Sequence, residues 1–531
     1  MDNLYLIQCD AGRPCRVIYR EGTKLESVRS AKSWESIVKH MDYIDSQEAE
    51  CLRISMEPFD PVKPSEIHGS TLFSATGSAM PFTDHNQAPR NMFTCQQVKQ
   101  ACSWYNTAFN KRFDTIATHL HTPQQPLCQT WAYQGVLGGG CIPFGENAIV
   151  AIAIYGGYNQ EDSVLINESA LKRGMYKTSY YHSYDHSENI IDPAAQTHTM
   201  IANVVTDPKY RETVNRKDGK DYDKLDADGI IRQGSEVTED TVLLGMITPK
   251  TNAAGQVIAY MDSSILPKRG QTGMVDAVYR YSTSEGLQGV KIRIVENREP
   301  VLGDKFGSRH GQKGTVGLRI PEEDMPATAD GLRPDLIINP HALPSRMTIG
   351  QFLEGMSSKL AVNLGAIVDG TAFSTNQRIV DTKEALIQMG YHPYGNELLY
   401  NGMNGEMMEA EIFMGPTYYQ RFKHMVEDKI NYRSTGPRTL LTHQPLEGRA
   451  NDGGLRIGEM ERDSLIAHGV SNFLNESMML RSDAHEFLFQ PETGLLDANP
   501  DYPIEKVNMP YSMGLFLNEI QSLHIQVKLS S

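Results

Sequence analysis

The feature that most constrains the fold is an uninterrupted apolar run at 148–155, with the sequence Ala-Ile-Val-Ala-Ile-Ala-Ile-Tyr. A strand that is apolar at every position is typical of a strand buried on both faces. Gly156 and Gly157 end the run, and the acidic pair Glu161 and Asp162 follows. We therefore predict a central buried strand, followed by a glycine turn that presents two carboxylates at a rigid, semi-buried edge.

Length and charge limit the class of protein. The 531 residues are enough for about two to four domains. The longest apolar run is far shorter than the roughly 20 residues that cross a bilayer, and the N-terminus has no charged-then-apolar leader. We therefore expect an intracellular protein with no membrane partner. The net charge of −15 excludes a protein that grips nucleic acid with its whole surface, so any such contact must use local basic positions.

The cysteines predict neither a zinc site nor a disulfide framework. No CxxC pair occurs, and all seven cysteines lie in the first 141 residues. We interpret them as reduced, mostly structural thiols. They are Cys9, Cys15, Cys51, Cys95, Cys102, Cys128 and Cys141.

Three helices are predicted in the second half of the chain. Residues 348–351 form a capping-box sequence ahead of apolar residues at helical spacing, and residues 381–384 open a second helix that Gly390 closes. A third helix is predicted from Pro416 to about Tyr432, because proline is favoured in a first helical turn.

Two motifs indicate phosphate binding. Residues 303–314 combine four glycines with Lys305, Arg309 and Lys313, so the backbone can approach a ligand closely beside fixed positive charge. A flexible surface hairpin is an equally good interpretation. Arg346 precedes the predicted helix at 349, where the helix N-terminus favours anions, although an ordinary ion pair with a carboxylate also fits.

Two further patterns have competing interpretations. Glu161 and Asp162 suit Mg²⁺, which binds through one or two carboxylates plus substrate phosphates, or they are solvated acids that cap a helix. The segment 415–424 interleaves aromatic and basic residues, and 421–449 holds six basic against three acidic residues, a pattern that suits a phosphate backbone. The apolar residues after 421, however, have helical spacing that favours a core role.

Six segments together resemble a known family. They match, in order, the C-terminal half of the second-largest subunit of multisubunit DNA-directed RNA polymerases, in its eukaryotic, archaeal and large-DNA-virus branch, over roughly residues 10 to 475. The segments are PFTDHNQAPRN (81–91), NAIVAIAIYGGYNQEDSVLINESALKRGMY (147–176), GDKFGSRHGQKGTVG (303–317), DLIINPHALPSRMTIGQ (335–351), GPTYYQRFKHMVEDKI (415–430) and RANDGGLRIGEMERDSLIAHG (449–469).

The resemblance implies an α+β multidomain fold. Its hybrid-binding region, which contains a double-psi β-barrel, would be formed by 75–177 and 299–450. Residues 178–298 would be a wall-like β insertion, residues 1–74 the end of an external domain, and 451–531 a helical, clamp-associated anchor segment. The family's C-terminal zinc module is absent, since no cysteine follows Cys141.

The resemblance also implies site residues. Glu161 and Asp162 match the acidic pair near the second Mg²⁺, which arrives with the nucleoside triphosphate, and Asp162 is the better candidate ligand. The catalytic set would be Arg90 and Arg346 near the triphosphate, with Lys305 and Lys313 near the RNA 3′ end. Residues near the substrate or the RNA–DNA hybrid would be Gln100, Arg309 and His310.

The implied activity is template-dependent RNA synthesis, in which two Mg²⁺ ions stabilise the attacking and leaving oxygens. The family's tightly held Mg²⁺ belongs to an aspartate triad on the largest subunit, and no DxDxD string occurs here. This chain should therefore supply half of a catalytic centre. The implied partners are the largest subunit, the N-terminal half of the second-largest subunit, small assembly subunits, DNA template, RNA transcript and nucleoside triphosphates.

Three departures leave alternatives open. The family's N-terminal half is missing, so the chain is either a naturally split subunit or a fragment. Phe93 replaces a usual tyrosine, and the missing zinc module favours a divergent, viral origin. The rival hypotheses are a non-catalytic polymerase-derived scaffold for assembly or nucleic-acid binding, and a self-contained phosphate-binding enzyme.

Overall fold

The computed structural model describes residues 15–529 except 136, 138–141, 193–196, 211–213, 252–256, 375–378 and 497–502. The chain forms two compact units. Unit 1 comprises Met1–Ser183 and Val295–Val426, and unit 2 comprises Tyr184–Ile294 and Glu427–Ser531.

Twelve α-helices are found in the described ranges, most of them short. In chain order they are α1 (Leu25–Arg29), α2 (Trp34–Val38), α3 (Ser46–Cys51), α4 (Ala75–Ser78), α5 (Ala88–Val98), α6 (Trp131–Gly135), α7 (Glu168–Lys172), α8 (Ile349–Leu364), α9 (Ile379–Gln388), α10 (Glu459–His468), α11 (Ser471–Met478) and α12 (Tyr511–Ser522).

Strands are more numerous than helices in the same ranges. They are β1 (Cys15–Tyr19), β2 (Met41–Asp45), β3 (Ser65–Glu66), β4 (Ile116–Leu120), β5 (Cys128–Gln129), β6 (Glu146–Ile152), β7 (Ser163–Asn167), β8 (Thr178–Ser187), β9 (Ile190–Asp192), β10 (Thr197–His198), β11 (Met200–Ile201), β12 (Val214–Asn215), β13 (Glu236–Val237), β14 (Met246–Thr251), β15 (Val257–Asp262), β16 (Gly273–Ser282), β17 (Gln288–Arg298), β18 (Lys305–Ser308), β19 (Lys313–Ile320), β20 (Ala327–Thr328), β21 (Leu336–Ile338), β22 (Val368–Asp369), β23 (Asn396–Tyr400), β24 (Met407–Arg421), β25 (Ala484–Phe489) and β26 (Glu505–Pro510).

Six strands of unit 1 close into a ring. The order is β18-β19-β7-β21-β6-β24, and β24 pairs back onto β18. The β19–β7 and β21–β6 pairs are parallel, and the other four pairs are antiparallel. Because every edge in the ring is paired, this barrel exposes no strand edge of its own.

Strand β6 packs on both faces, which confirms the predicted buried strand for residues 148–152. The predicted run extends too far, because the strand ends at Ile152 and Ile154 is exposed. Ala148, Val150 and Ile152 belong to a buried cluster that draws on all six barrel strands. Ala151 and Ala153, which point the opposite way, belong to a second cluster with residues of β23. The continuous apolar run thus reflects two packed faces and not a buried helix.

Two of the three predicted helices are present. Helix α8 begins beside Thr348 as expected, but the capping box does not form, because the Thr348 hydroxyl accepts a hydrogen bond from Gln312 Nε2 (2.8 Å). Helix α9 contains residues 381–384, and Gly390 follows it in a left-handed conformation with φ 83°.

The third predicted helix, 416–432, is wrong. Its first part lies in β24, which pairs with β6 from Phe413 to Tyr419. A first-turn proline is a local preference, whereas this pairing with β6 and the burial of both tyrosines at 418 and 419 are long-range effects that outweigh it. Phe422 and Met425 are nevertheless buried, as their spacing suggested, while Ile430 is exposed.

Unit 2 contains sheets of its own. Strands β11, β14, β15 and β12 form a four-stranded sheet, and β25 and β26 form a hairpin that packs with α12. The predicted mixture of helix and sheet is therefore confirmed. No helix within the described residues is both long and apolar enough to span a bilayer. Cys15, Cys51, Cys95, Cys102 and Cys128 are free thiols, and Cys9 and Cys141 lie outside the described residues.

Candidate functional site

The turn that carries the acidic pair is set by backbone geometry. Glu161 and Asp162 both have left-handed backbones, with φ 49° and 68°, and β7 begins at the next residue. Two consecutive non-glycine residues in this region are strained, and such strain persists only where surrounding structure enforces it. Strand β19 packs against this turn: the Thr315 N–H donates to the Asp162 carbonyl oxygen (3.3 Å), and a Cβ added at Gly314 would lie 2.4 Å from that oxygen.

Arg346 joins this turn to the glycine-rich segment. Its Nη2 donates to Asp162 Oδ2 (2.6 Å) and its Nη1 donates to Gln312 Oε1 (2.9 Å). Gln312 in turn donates to the Ala342 carbonyl oxygen (3.1 Å). The Asp162 side chain remains 40% exposed, so one carboxylate oxygen stays available to a ligand while the other is held.

Arg90 approaches the same place from α5. Its Nη1 donates to the carbonyl oxygen of Gly311 (3.3 Å), which has φ 72°. Burial lowers the pKa of Arg90, the neighbouring charge of Arg346 lowers it further, and Asp162 opposes the shift. The three charged groups therefore interact electrostatically, and two guanidinium groups flank a single carboxylate.

The two predicted lysines lie on one face of the β18–β19 pair. Lys305 is opposite Thr315 and Lys313 is opposite Gly307, so strand alternation places both lysines on the face away from buried Phe306. Lys313 makes no side-chain hydrogen bond or ion pair with any residue in the described ranges. Lys313, Gln312 and Asp162 also line one small cavity of about 20 Å³.

Arg309 and His310 lie inside the protein. Arg309 pairs with Glu354 Oε1 (2.6 Å) and donates to the Cys128 carbonyl oxygen (2.9 Å). His310 Nε2 lies 2.5 Å from Glu354 Oε2, and all three side chains are 1% exposed or less. Burial alone raises the pKa of Glu354, but the Arg309 charge and the His310 hydrogen bond together lower it to about 2. Neither basic residue has free surface for a ligand in this structure.

Gln100 is separate from the cluster. It lies just after α5, roughly 15 Å along the helix direction from Arg90 at 1.5 Å per residue. Its Oε1 lies 3.1 Å from His424 Nε2, and its carbonyl oxygen accepts a hydrogen bond from the Lys423 N–H (2.9 Å).

The acidic pair suits a hard divalent cation. Asp162 and Glu161 supply two partly exposed carboxylates, and Glu161 has no side-chain partner among the described residues. Mg²⁺ characteristically takes one or two protein carboxylates and completes its shell with water and phosphate oxygens. Within the described ranges no group of three or more acidic, histidine or cysteine side chains could hold a metal ion.

Sequence analysis missed two residues that organise the site. Gln312 holds Arg346, and Glu354 holds Arg309 and His310 and accepts the Tyr418 backbone N–H (3.0 Å). Glu354 could have been singled out from the sequence, because an acidic residue between Leu353 and Met356 lies on the apolar side of a predicted helix. Gln312 had none, since glutamine is common on surfaces.

Comparison with known proteins now identifies the family. The family model for RNA polymerase Rpb2, domain 6, matches residues 76–451, and that for Rpb2, domain 7, matches residues 453–531. This chain belongs to the RNA polymerase Rpb2 family. The resemblance seen in the sequence is confirmed, and the second match extends it beyond residue 475 to the C-terminus.

Individual relatives agree with the family match. The chain is 41% identical to DNA-directed RNA polymerase II subunit 2 of Arabidopsis thaliana, over 93% of this chain and 43% of the relative. It is 39% identical to subunit RPB2 of Encephalitozoon cuniculi, over 98% of the chain and 48% of the relative. It is 36% identical to the polymerase subunit Rpo2 of Saccharolobus solfataricus, over 98% of the chain and 49% of the relative. The chain thus spans about half the length of the curated relatives it matches.

Proposed function

We propose that this chain supplies substrate-, metal- and hybrid-binding residues to a DNA-directed RNA polymerase that synthesises RNA on a DNA template. The observation that carries the proposal is the charged cluster of Arg90, Arg346, Lys313 and Asp162, which four separate segments bring to one place. Its excess of positive charge suits a triphosphate, and its one carboxylate suits the cation that a triphosphate brings.

Each residue has a role in this proposal. Arg346 and Arg90 bind triphosphate oxygens and offset the charge that develops as pyrophosphate leaves. Lys305 and Lys313 lie on the neighbouring strands and orient the RNA 3′ end or the substrate phosphates. Asp162, with Glu161 beside it, would hold the Mg²⁺ that accompanies the nucleotide, and this ion supplies charge stabilisation to the leaving phosphates.

Arg309 and His310 take a positioning role in the proposal. Their common partner Glu354 belongs to α8, so the loop between β18 and β19 is fixed to this helix from inside. Gly311, Gln312 and Lys313 follow directly in that loop. The buried network thus fixes the position of the half-buried cations, and no direct contact with the hybrid is assigned to Arg309 or His310.

The closed six-stranded ring supports a double-psi β-barrel as the hybrid-binding fold. The domain limits 1–74, 75–177, 178–298, 299–450 and 451–531 remain part of this proposal. Gln100, with Lys423 and His424 against it, would lie along the hybrid.

The proposed partners complete the catalytic centre. A largest-subunit polypeptide would supply the tightly held Mg²⁺, since this sequence has no DxDxD string of its own. An N-terminal-half polypeptide, small assembly subunits, DNA template, RNA transcript and nucleoside triphosphates complete the proposed complex.

The test is single-nucleotide addition by the assembled polymerase. Asp162→Ala should slow addition by about 10²-fold or more and raise the Mg²⁺ requirement, whereas Asp162→Glu should recover part of the rate. Asp330→Ala, a change at an exposed acid of unit 1 outside the cluster, is the control. Near-normal addition by Asp162→Ala would contradict the proposal, and a wild-type complex without template-dependent addition would favour the scaffold hypothesis.

A further inference from the structure

Within unit 2, residues 427–457 form a mostly exposed segment that we name the basic loop. Lys429, Arg438 and Arg456 are exposed on it and make no side-chain hydrogen bond or ion pair with any residue that the structure describes. Arg433 and Arg449 act differently, because they donate to backbone carbonyls of the loop itself. Two arginines therefore shape the loop and three cations face solvent.

The β insertion holds this loop from one side through Arg269. Its guanidinium pairs with Asp452 and lies 4.5 Å from the ring centroid of Tyr432. The next residue, Gly270, has φ 72°, and its N–H donates to Glu239 Oε1 (2.8 Å). The turn at Arg269 is thus fixed within the β insertion, and the Arg269 side chain contacts the basic loop at two separate residues, Tyr432 and Asp452.

The residues that flank the C-terminal β25–β26 hairpin also contact the basic loop. The rings of His443 and Tyr511 stack with centroids 3.8 Å apart and planes 9° from parallel. Gln444 hydrogen-bonds Asp483, which also accepts the Ser512 N–H (2.9 Å). Loop residues 443 and 444 are therefore attached at the open end of the β25–β26 hairpin, where Asp483 precedes β25 and Tyr511 follows β26.

We infer that Arg269 and Tyr511 are positioning residues that hold the basic loop in the conformation in which it meets a phosphate backbone. The inference rests on the proposed function and adds two residues that touch no nucleic acid. An exposed loop of this length loses conformational entropy when it binds, and attachment at two places removes part of that loss beforehand.

Salt dependence separates a positioning residue from a phosphate contact. The logarithm of the binding affinity falls linearly with the logarithm of the salt concentration. Each phosphate contact that is lost makes this slope less steep by roughly 0.7 to 0.9. Loss of a positioning residue lowers affinity at every salt concentration and leaves the slope unchanged. Arg456 is a proposed contact, whereas Arg269 is not, so the two arginines should differ in this respect.

The experiment uses the full chain and a short RNA–DNA hybrid as probe. Arg269→Gln and Tyr511→Leu should each weaken hybrid binding about three- to tenfold with an unchanged salt slope, whereas Arg456→Gln should lower the slope. Hydrogen exchange of 433–457 should quicken in the first two variants and stay constant in α8, which serves as the internal reference for folding.

Matched controls are present in the same chain. Arg280→Gln removes an arginine of the same insertion whose ion pairs are with Asp226 and Asp228 and not with the basic loop. Tyr511→Phe removes the hydroxyl and keeps the stacked ring. Both should leave exchange and affinity unchanged. Unchanged exchange of the loop in Arg269→Gln and Tyr511→Leu, or a lowered salt slope in Arg269→Gln, would overturn the inference. A wild-type chain that fails to bind the hybrid would overturn the proposed function, and the exchange result would still decide whether the loop is held.

Discussion

At the scale of single residues, Arg346 is the side chain that we expect to tolerate substitution least. One guanidinium spans Asp162 and Gln312 with two donors in a fixed fork, and a lysine ammonium at the same position would reach only one of them. We expect Arg346→Ala to lower the rate of nucleotide addition by about 10²- to 10³-fold. Arg346→Lys should be intermediate, with a raised KM for the nucleotide.

The control for this change is Arg333→Ala, which removes an exposed arginine whose partner is Glu322 on another surface. It should add nucleotides at the wild-type rate in single-turnover measurements. Equal rates for wild type and Arg346→Ala would exclude a role for this side chain in the chemistry.

Burial of Glu146 makes the free energy of unfolding depend on pH, and the direction of that dependence follows from its pKa. This carboxyl is 2% exposed, and burial raises its pKa to about 7, although Thr122 and the Tyr176 N–H both donate to it. Between pH 4.5 and 7 the folded state binds more protons here than the unfolded state does. The free energy of unfolding should therefore fall as pH rises through this window.

Glu146→Gln keeps an acceptor for both donors and removes the charge. Above pH 7 we expect it to raise the free energy of unfolding by at most about 3 kcal/mol, and below pH 4.5 to change it little. Denaturant unfolding of both proteins from pH 4 to 8 measures the difference. A difference that does not change with pH would show that Glu146 is not buried as a raised-pKa acid.

At the scale of elements, the site depends on how closely β19 approaches the acidic turn. Gly314→Ala would push a methyl group against the Asp162 carbonyl oxygen and displace the carboxylate from Arg346. We expect a loss of about 1–3 kcal/mol in stability and a slower nucleotide addition than in the wild type. Gly135→Ala is the matched control, since nothing lies within 4 Å of its added methyl group. Equal loss in both variants would contradict the close approach.

Elements also show what could be read from the sequence. The buried strand Glu146–Ile152 and the helix Ile349–Leu364 were predictable, because their apolar patterns are local and long. The strand Met407–Arg421 was not, because its identity comes from pairing with β6, more than 250 residues earlier in the chain. Likewise Asp162 and Arg346 were each predictable as candidate site residues. Their ion pair joins residues 184 positions apart, so only the folded structure reveals it.

At the scale of the whole molecule, net charge and site charge have opposite signs. A chain with net charge −15 repels nucleic acid at long range, so its local cations attract a phosphate backbone only at close approach. A partner that adds positive surface would remove this conflict. Under the proposed function the same partner also supplies the tightly held Mg²⁺, whereas the acidic pair at 161–162 would hold only the ion that accompanies the nucleotide.

We therefore expect the isolated chain to add no nucleotide to a primed template at any Mg²⁺ concentration, and the complex with a largest-subunit polypeptide to do so. Affinity purification at moderate salt, followed by mass spectrometry and a template-dependent addition assay, measures both halves of this prediction. The complex with Asp162→Ala is the control, since it should assemble normally and yet add nucleotides slowly. Turnover by the isolated chain without template would instead identify a self-contained phosphate-binding enzyme. Assembly without turnover in the wild type would leave the charged cluster as a binding surface, and the barrel as the scaffold that presents it.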